Sequence, residues 1–340
     1  MSLREAVETA VAGREVPADI LEGSFDEIMS GAASELLITA LLVALHTKGE
    51  TVGEIVAAAR SLRAHAVTAE IGDPRTVDTC GTGGDGADTF NISTTAAFVV
   101  AGAGLPVAKH GNRAASSRTG SVDVLEALGV RVDLPVAASA QVLADVGIAL
   151  FFARRAHPAM KHVAKVRQAL GFRTMMNCLG PLVNPMGVRF QVIGVYSDPL
   201  VETIASALGE LGAKRALVVH GSDGLDEVTT TGPTRAALFA NGAVSTMTLD
   251  PSEHGIPRPA SGALAGGDAA ENASILRGVL DGEAGARRDI TCVNAAAALW
   301  VGGAAEDFAG GIDLAQRSID SGAARQRLDD FVEATNAVAA

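Results

Sequence analysis

Along the first 72 residues, apolar positions recur at helical spacing, most clearly from Phe25 to His65, with turns signalled at Gly31 and at Lys48-Gly49. No strand-like alternation occurs there, so this stretch is predicted to be helix only. From Thr76 onward the pattern changes to short apolar runs bounded by glycine-rich turns. These runs predict strands at Thr76 to Thr79, Pro106 to Lys109, Ile148 to Phe152, Gln191 to Tyr196 and Ala216 to His220. Helices are predicted between them at Thr94 to Ala103, Ser121 to Leu128 and Pro199 to Leu211. Strand and helix in alternation imply an α/β layer with a mostly parallel sheet. Asn241-Gly242, flanked by Arg235 to Ala240 and Ala243 to Leu249, is a hairpin signal and predicts an antiparallel excursion. The alanine-rich stretch from Ala295 to Gly303 and onward reads as helix. The expected fold class is therefore α/β: a small all-helical N-terminal domain, residues 1–72, beside a larger α/β domain, residues 73–340, with a mostly parallel central sheet. No internal repeat is present, and no linker is long enough to cut the two cleanly.

Composition narrows the function classes. At 340 residues the chain suits about two domains of ~150 residues each. Apolar residues at 48% and charged residues at 19% place it among ordinary globular proteins. A net charge of −12 argues against a duplex-binding surface, and 10 Phe, one Tyr and one Trp leave few platforms for stacked bases. No apolar stretch reaches the ~18 residues of a membrane span; Leu36 to Leu45 is too short, and Ala96 to Ala108 is interrupted by glycines and Pro106. Residues Met1 to Ala10 carry acidic groups and no apolar signal segment. The expectation is a cytoplasmic protein with neither membrane nor nucleic acid as partner. Cys80, Cys178 and Cys292 lie far apart without metal-ligand spacing, which predicts reduced, mostly buried thiols.

Four segments carry candidate chemistry. The first, Asp78 to Gly86, follows a predicted strand with four glycines in six residues (Gly81, Gly83, Gly84, Gly86) and leads through Asn91-Ile92-Ser93-Thr94-Thr95 into a helix. Glycines let backbone N–H groups turn toward a ligand, Ser93 or Thr94 would cap the helix, and its N-terminus favours an anion. A tight turn needs fewer glycines, so phosphate binding is the better reading. The segment is neither a Walker loop nor Gly-x-Gly-x-x-Gly. The second, Lys109-His110-Gly111-Asn112-Arg113 with Ser116 to Ser121, follows the next strand, and loops after adjacent parallel strands meet at one sheet edge. Its cations, hydroxyls and glycines suit a ligand with more than one phosphate. His110 alone would read as a loop histidine bonded to backbone, but beside these neighbours ligand contact is favoured.

The third segment runs from His157-Pro158 to Leu170. Pro158 fits a first helical turn, and Met160, Val163, Arg167 and Leu170 share a stripe, which puts Arg167 on the apolar face while Lys161 and Lys165 point elsewhere. An inward arginine needs an anionic partner, either a ligand or an internal Asp or Glu. The fourth, Gly221 to Thr229, sets Asp226-Glu227 directly after a strand, a pair of hard oxygen ligands suited to Mg²⁺ that also bridges to phosphate.

Together these segments resemble the anthranilate phosphoribosyltransferase family of tryptophan biosynthesis. The resemblance runs in order through Gly81-Thr82-Gly83-Gly84-Asp85, Thr89 to Thr94, Lys109-His110-Gly111-Asn112, Gly120 to Glu126, His157 to Lys161, Leu179 to Pro185, Asp226-Glu227 and Asn294-Ala295-Ala296, nearly the whole chain. It implies a helical domain hinged to the α/β domain, with the segment near 157–185 returning to the helical side, and a homodimer formed through the helical domain. It also implies transfer of a phosphoribosyl group from phosphoribosyl pyrophosphate (PRPP) to the amine of anthranilate. By resemblance PRPP would contact Gly81, Gly84, Asp85, Thr89, Asn91, Ile92, Ser93, Thr94, Lys109, His110, Gly111, Asn112, Arg113, Ala114, Ala115, Ser116, Ser117 and Ser121. Anthranilate would meet Gly81, His110, Asn112, His157 and Arg167, and Mg²⁺ would use Ser93, Asp226 and Glu227. No acid/base residue is expected; positioning and electrostatics carry the reaction, with Lys109 and Arg167 the most influential. The chain departs from the family pattern at Leu37, Val122, Arg154 and Met176, none of them assigned to phosphate or metal. A phosphoribosyltransferase or nucleoside phosphorylase with another acceptor, a nucleic-acid-binding relative and a sensor without turnover are the alternatives. The net charge opposes the second of these, and the intact Asp226-Glu227 pair opposes the third.

Overall fold

The structure, a computed structural model, describes residues 2–70, 72–114 and 118–338. Four helices open the chain: α1 (Ser2–Val11), α2 (Ala18–Met29), α3 (Glu35–Lys48) and α4 (Val52–Ala64). Turns at Gly31 and Gly49 separate the last three, as the pattern predicts. A capping box starts α4: Glu54 accepts from the Thr51 N–H at 3.0 Å and the Thr51 hydroxyl accepts from the Glu54 N–H at 3.2 Å. Glu54 is fully buried, and Val16 N–H at 2.9 Å and Lys48 Nζ at 2.6 Å complete its partners, so one carboxylate ties three helical segments together.

The remaining elements form the α/β layer. Strands β1 (Val77–Asp78), β2 (Val107–Gly111), β3 (Ile148–Phe152), β4 (Phe190–Gly194), β5 (Arg215–Gly221), β6 (Thr234–Ala240) and β7 (Ala243–Leu249) make one sheet in the order β3-β2-β1-β4-β5-β6-β7. The first five are parallel; β6 and β7 are the antiparallel excursion, joined through Asn241 and Gly242 at φ 54° and 79°, the positive pair that a tight hairpin turn requires. Helices α5 (Ile92–Gly102), α6 (Ser121–Ala127), α7 (Val136–Val146), α8 (Ala153–Ala156), α9 (Lys161–Leu170), α10 (Met176–Leu179), α11 (Leu200–Glu210), α12 (Ala269–Leu280), α13 (Ala286–Val301), α14 (Phe308–Asp320) and α15 (Ala323–Ala337) surround it.

Side chains alternate between the two faces of the sheet. Val192, Leu217, Val219 and Ala236 join a core with α5, α7 and α12 to α15. Ile193, Ala216, Val218 and Ala237 join a second core with α1 to α4, α9, α10 and α11. The helical N-terminal region and the returning segment thus share an apolar core with one sheet face. Arg63 of α4 stitches this side further, donating to the Leu182 carbonyl at 2.7 Å and the Leu211 carbonyl at 3.0 Å.

Two expectations are corrected. The helix after the glycine loop begins earlier than predicted: Asn91 occupies the cap position without a side-chain cap, and Ser93 and Thr94 lie inside the first turn. On α9 the buried stripe is Val163 and Val166 rather than Met160, Val163, Arg167 and Leu170; these last flank it half-buried, except Val163 itself. Pro158 opens a single 3₁₀ turn, Pro158–Met160, that leads into α9.

Candidate active site

The chain builds β1, β2 and β3 in one direction and then returns to add β4 beside β1, so strand order reverses between β1 and β4. Crevices at such a reversal, outside the carboxyl ends of the strands, are where open α/β sheets bind ligands. Four loops meet there. The glycine loop after β1 crosses the end of β4, with Thr82 N–H donating to the Gly194 carbonyl at 2.8 Å. The loop after β5 folds over both, and Asp226 Oδ2 accepts from the Gly83 N–H at 2.7 Å. The contact is tight: a Cβ on Gly194 would lie 1.4 Å from the Asp226 carbonyl oxygen, and one on Gly81 would lie 3.0 Å from Asp226 Oδ2. Only glycine admits the approach at Gly194.

Glu227 is held from the opposite side, accepting from the Ser93 N–H in the first turn of α5 at 3.2 Å. Helix N-termini favour anions, which explains that partner. From β2, buried Lys109 reaches toward the same point and donates to the Thr79 carbonyl at 3.1 Å, the Thr79 hydroxyl at 3.3 Å and the Ser93 hydroxyl at 3.4 Å. Asp226 and Glu227 are both pushed above the ordinary carboxylate range. Desolvation is the main cause for each; Asp85 presses on Asp226, Asp226 and Asp85 press on Glu227, and Lys109 opposes the shift at Glu227. Thr79, Gly81, Ser93, Gly194, Glu227 and Asn294 line a small cavity among them.

Two carboxylates and the Ser93 hydroxyl are hard oxygen donors of the kind Mg²⁺ takes. Among the described residues no three His, Cys, Asp or Glu side chains form a ready metal cage. Mg²⁺ is commonly held by one or two carboxylates and completed by phosphate and water. The residues fit the ion.

Behind Lys109 and His110 lies a network that sequence reading missed. Buried Asp78 accepts from the His110 N–H at 3.2 Å and from Asn184 Nδ2 at 2.8 Å, and Asn184 Nδ2 also donates to the Ala108 carbonyl at 2.9 Å. Burial raises the Asp78 pKa to about 6 despite these donors and the Lys109 charge. The network locks β1, β2 and the returning segment in register. A polar residue closing an apolar strand was the available signal.

His110 and His157 come together, their ring centroids 5.2 Å apart and tilted by 65°. Each is buried and keeps an Nε2 with no hydrogen-bond partner among the described residues, while His110 Nδ1 bonds to the Gly180 carbonyl at 3.0 Å. Burial holds both neutral, lowering His110 to about 3, with His157 adding repulsion, and His157 to about 4. Arg167 is half-buried, and burial lowers its pKa. Among the described residues it makes no ion pair, so the internal Asp or Glu partner left open above is not found, and no hydrogen bond links it to the other site residues.

Other predicted site residues have structural partners of their own. Asn91 donates to the Thr119 carbonyl at 3.1 Å and accepts from Asn272 Nδ2 at 3.0 Å. Arg113 turns its guanidinium to Asp123 at 2.8 Å and Glu126 at 2.8 Å, while Asp123 Oδ2 accepts from Ala114 N–H at 3.0 Å and Gly120 N–H at 2.9 Å. Asp123 thereby closes the loop after β2. Ser121 donates to the carbonyl of exposed Asn112 at 3.3 Å, and Gly111 packs against Ser121. Thr89 bridges to Ala265, Gly84 has φ 79°, and Ile92 is buried in a small cluster with Phe90. Ala115, Ser116 and Ser117 lie outside the described residues.

A cleft of this build on this sheet is that of a glycosyl transferase. The family model for the helical bundle domain of the glycosyl transferase family matches residues 4–66, and the model for its a/b domain matches residues 73–325. An anthranilate phosphoribosyltransferase of Moorella thermoacetica is 52% identical over 330 residues, 97% of each chain. The structure of the Thermus thermophilus anthranilate phosphoribosyltransferase superposes with a TM-score of 0.93 at 40% identity, covering 98% of this chain and 99% of that one. The Saccharomyces cerevisiae enzyme in complex with PRPP and Mg superposes with a TM-score of 0.91 at 28% identity, covering 99% and 98%. The chain belongs to the anthranilate phosphoribosyltransferase family.

Proposed function

We infer that the chain transfers the 5-phosphoribosyl group of PRPP to the amine of anthranilate, releasing pyrophosphate, the step of tryptophan biosynthesis that its relatives' name describes. The observation that carries the reading is the meeting of the glycine loop, Lys109 and Asp226-Glu227 at the strand-order reversal. An aromatic amine is neutral near pH 7 and needs no strong base. Rate therefore comes from holding the amine beside C1 of the ribose and from stabilising charge on the departing group.

In this assignment the backbone N–H groups of Gly81, Gly84 and Asp85, the residues Thr89 and Asn91 to Thr94, and the residues from Lys109 to Ser117 with Ser121 hold the diphosphate and ribose. Ser93, Asp226 and Glu227 would hold Mg²⁺, which when bound supplies positive charge to pyrophosphate. Lys109, buried beside the two carboxylates, adds a cation whose position is preset by Thr79 and Ser93. Arg167, with no ion-pair partner among the described residues, orients the anthranilate carboxylate by a bidentate pair. His110 and His157, neutral and with free Nε2 atoms, line the amine's pocket with Gly81 and Asn112.

Residues 1–72 with the segment near 157–185 act as one hinged unit against the rest, and its closing excludes the water that would hydrolyse the activated sugar. A homodimer through the helical unit, on which Val11 and Leu36 are 71% and 82% exposed, is part of this reading; Leu36→Glu should then give monomers in sedimentation velocity. The three free cysteines suit the cytoplasm, and among the described residues no helix is long and apolar enough to cross a membrane. The direct test mixes protein, anthranilate, PRPP and Mg²⁺ and follows anthranilate fluorescence. Loss that depends on Mg²⁺ is expected; no loss from folded protein that still binds PRPP would overturn the acceptor.

A further inference from the structure

The motif Asn294-Ala295-Ala296 lies on α13, whose buried surface is otherwise almost wholly apolar: Ile290, Cys292, Val293 and Ala295 to Leu299 are all buried. Asn294 is itself 4% exposed. A buried amide is costly unless its bonds are made, so an alanine would suit this helix better if packing alone mattered. Two of the three Asn294 bonds go to one residue outside its helix. Its Oδ1 accepts from the Val228 N–H at 2.9 Å, and its Nδ2 donates to the Val228 carbonyl at 3.0 Å and to Ile290 in its own helix at 2.9 Å. Gripping both backbone groups of one residue copies a strand ladder and fixes the orientation of the two peptides that flank Val228. Val228 directly follows Asp226-Glu227.

Helix α13 packs against α5, and the first turn of α5 supplies the Ser93 N–H that holds the Glu227 carboxylate. Two packed helices therefore hold Glu227 twice, its side chain through α5 and its backbone through α13. The far end of the loop is closed separately, by Asp223 accepting from the Thr229 hydroxyl at 2.6 Å and from the Thr231 hydroxyl.

We propose that Asn294 is a positioning residue for the reaction: by clamping Val228 it sets the Asp226 and Glu227 carboxylates at the spacing the divalent cation requires. The proposal rests on the reading of that pair as the Mg²⁺ site. Residues that orient metal ligands are worth about 10- to 100-fold in metal affinity.

The test titrates Mn²⁺ as the probe, with and without PRPP, by electron paramagnetic resonance, alongside thermal melting and two-substrate kinetics. Asn294→Ala should weaken Mn²⁺ binding about tenfold or more and raise the KM for PRPP while leaving that for anthranilate unchanged. Cys292→Ala, which removes packing from the same helix and leaves the Asn294 hydrogen bonds to Val228 in place, should lower the melting temperature and leave Mn²⁺ affinity as it is. An Asn294→Ala protein that melts lower but binds Mn²⁺ with unchanged affinity overturns the proposal. Should that variant not fold, Asn294→Asp, which keeps the acceptor for the Val228 N–H and loses the donors, carries the same two outcomes. Glu227→Gln separates the levels: if it also leaves Mn²⁺ binding unchanged, the metal reading fails and the inference goes with it.

Discussion

In the half of the cleft proposed for the phosphoribosyl donor the polar groups have partners already; in the half proposed for the acceptor several do not. Asp226, Glu227, Lys109 and Ser93 are held by backbone N–H groups, carbonyls and one another. His110 and His157 each keep a bare Nε2, and Arg167 has no ion-pair partner among the described residues. Under the proposed assignment the difference follows from what each half does. Charge that develops on pyrophosphate is best met by groups that need no rearrangement, so those groups are fixed in advance. An acceptor recognised by shape and one carboxylate is best met by groups left waiting for it, at some cost to the free protein.

The sharpest way to break the donor half is Gly194→Ala. The new Cβ meets the Asp226 backbone, which no side-chain rotation relieves. Displacing the carboxylate loop by about 1 Å should lower kcat/KM on the order of 100-fold, measured by initial rates; a near-normal rate would show that the β4 and β5 loops are not rigidly coupled. Next comes Lys109→Met, which removes the buried cation beside both carboxylates. A fall in kcat of roughly 100-fold is expected, and a loss no larger than that of Lys165→Met on the exposed side of α9 would contradict the role.

The acceptor half yields smaller, more selective effects. Arg167→Ala should raise the KM for anthranilate about 10- to 100-fold, the worth of a charge-assisted hydrogen bond, with the KM for PRPP unmoved; equal changes in both would remove Arg167 from the acceptor. The smallest effect is on stability. His110 and His157 have folded pKa values lowered to about 3 and about 4, while an unfolded histidine titrates near 6.5. Between those limits the unfolded chain binds more protons, so stability falls as pH drops below about 6.5. Asp78, raised to about 6, works in the opposite direction. His157→Asn should therefore flatten the loss of melting temperature between pH 7 and pH 5. An unchanged slope would mean that His157 is not held neutral by burial.

Much of this was legible in the sequence, for stated reasons. β3 and β7 lie at Ile148–Phe152 and Ala243–Leu249 as their apolar runs and the Asn-Gly turn imply. The donor loops were visible because glycines, a lysine and paired carboxylates follow strands directly. The continuous core linking the helical region to one sheet face was not visible, since periodicity tells which side of an element is apolar and not what covers it. The spacing puts Arg167 on the apolar stripe of α9, whereas Val163 and Val166 are the buried residues and Arg167 flanks them, because period alone fixes a helix face only to within one turn. Gly194, Asp78, Asn184 and Asn294 matter through partners 32 to 106 residues away, which local spacing cannot reveal.

The contrast between the two halves is tested most directly by full two-substrate kinetics on Arg167→Ala and Glu227→Gln side by side. Arg167→Ala should move only the KM for anthranilate, while Glu227→Gln should move the Mg²⁺ requirement and the KM for PRPP and leave anthranilate alone. If both substitutions shift both substrates together, the cleft works as one undivided site and the account fails.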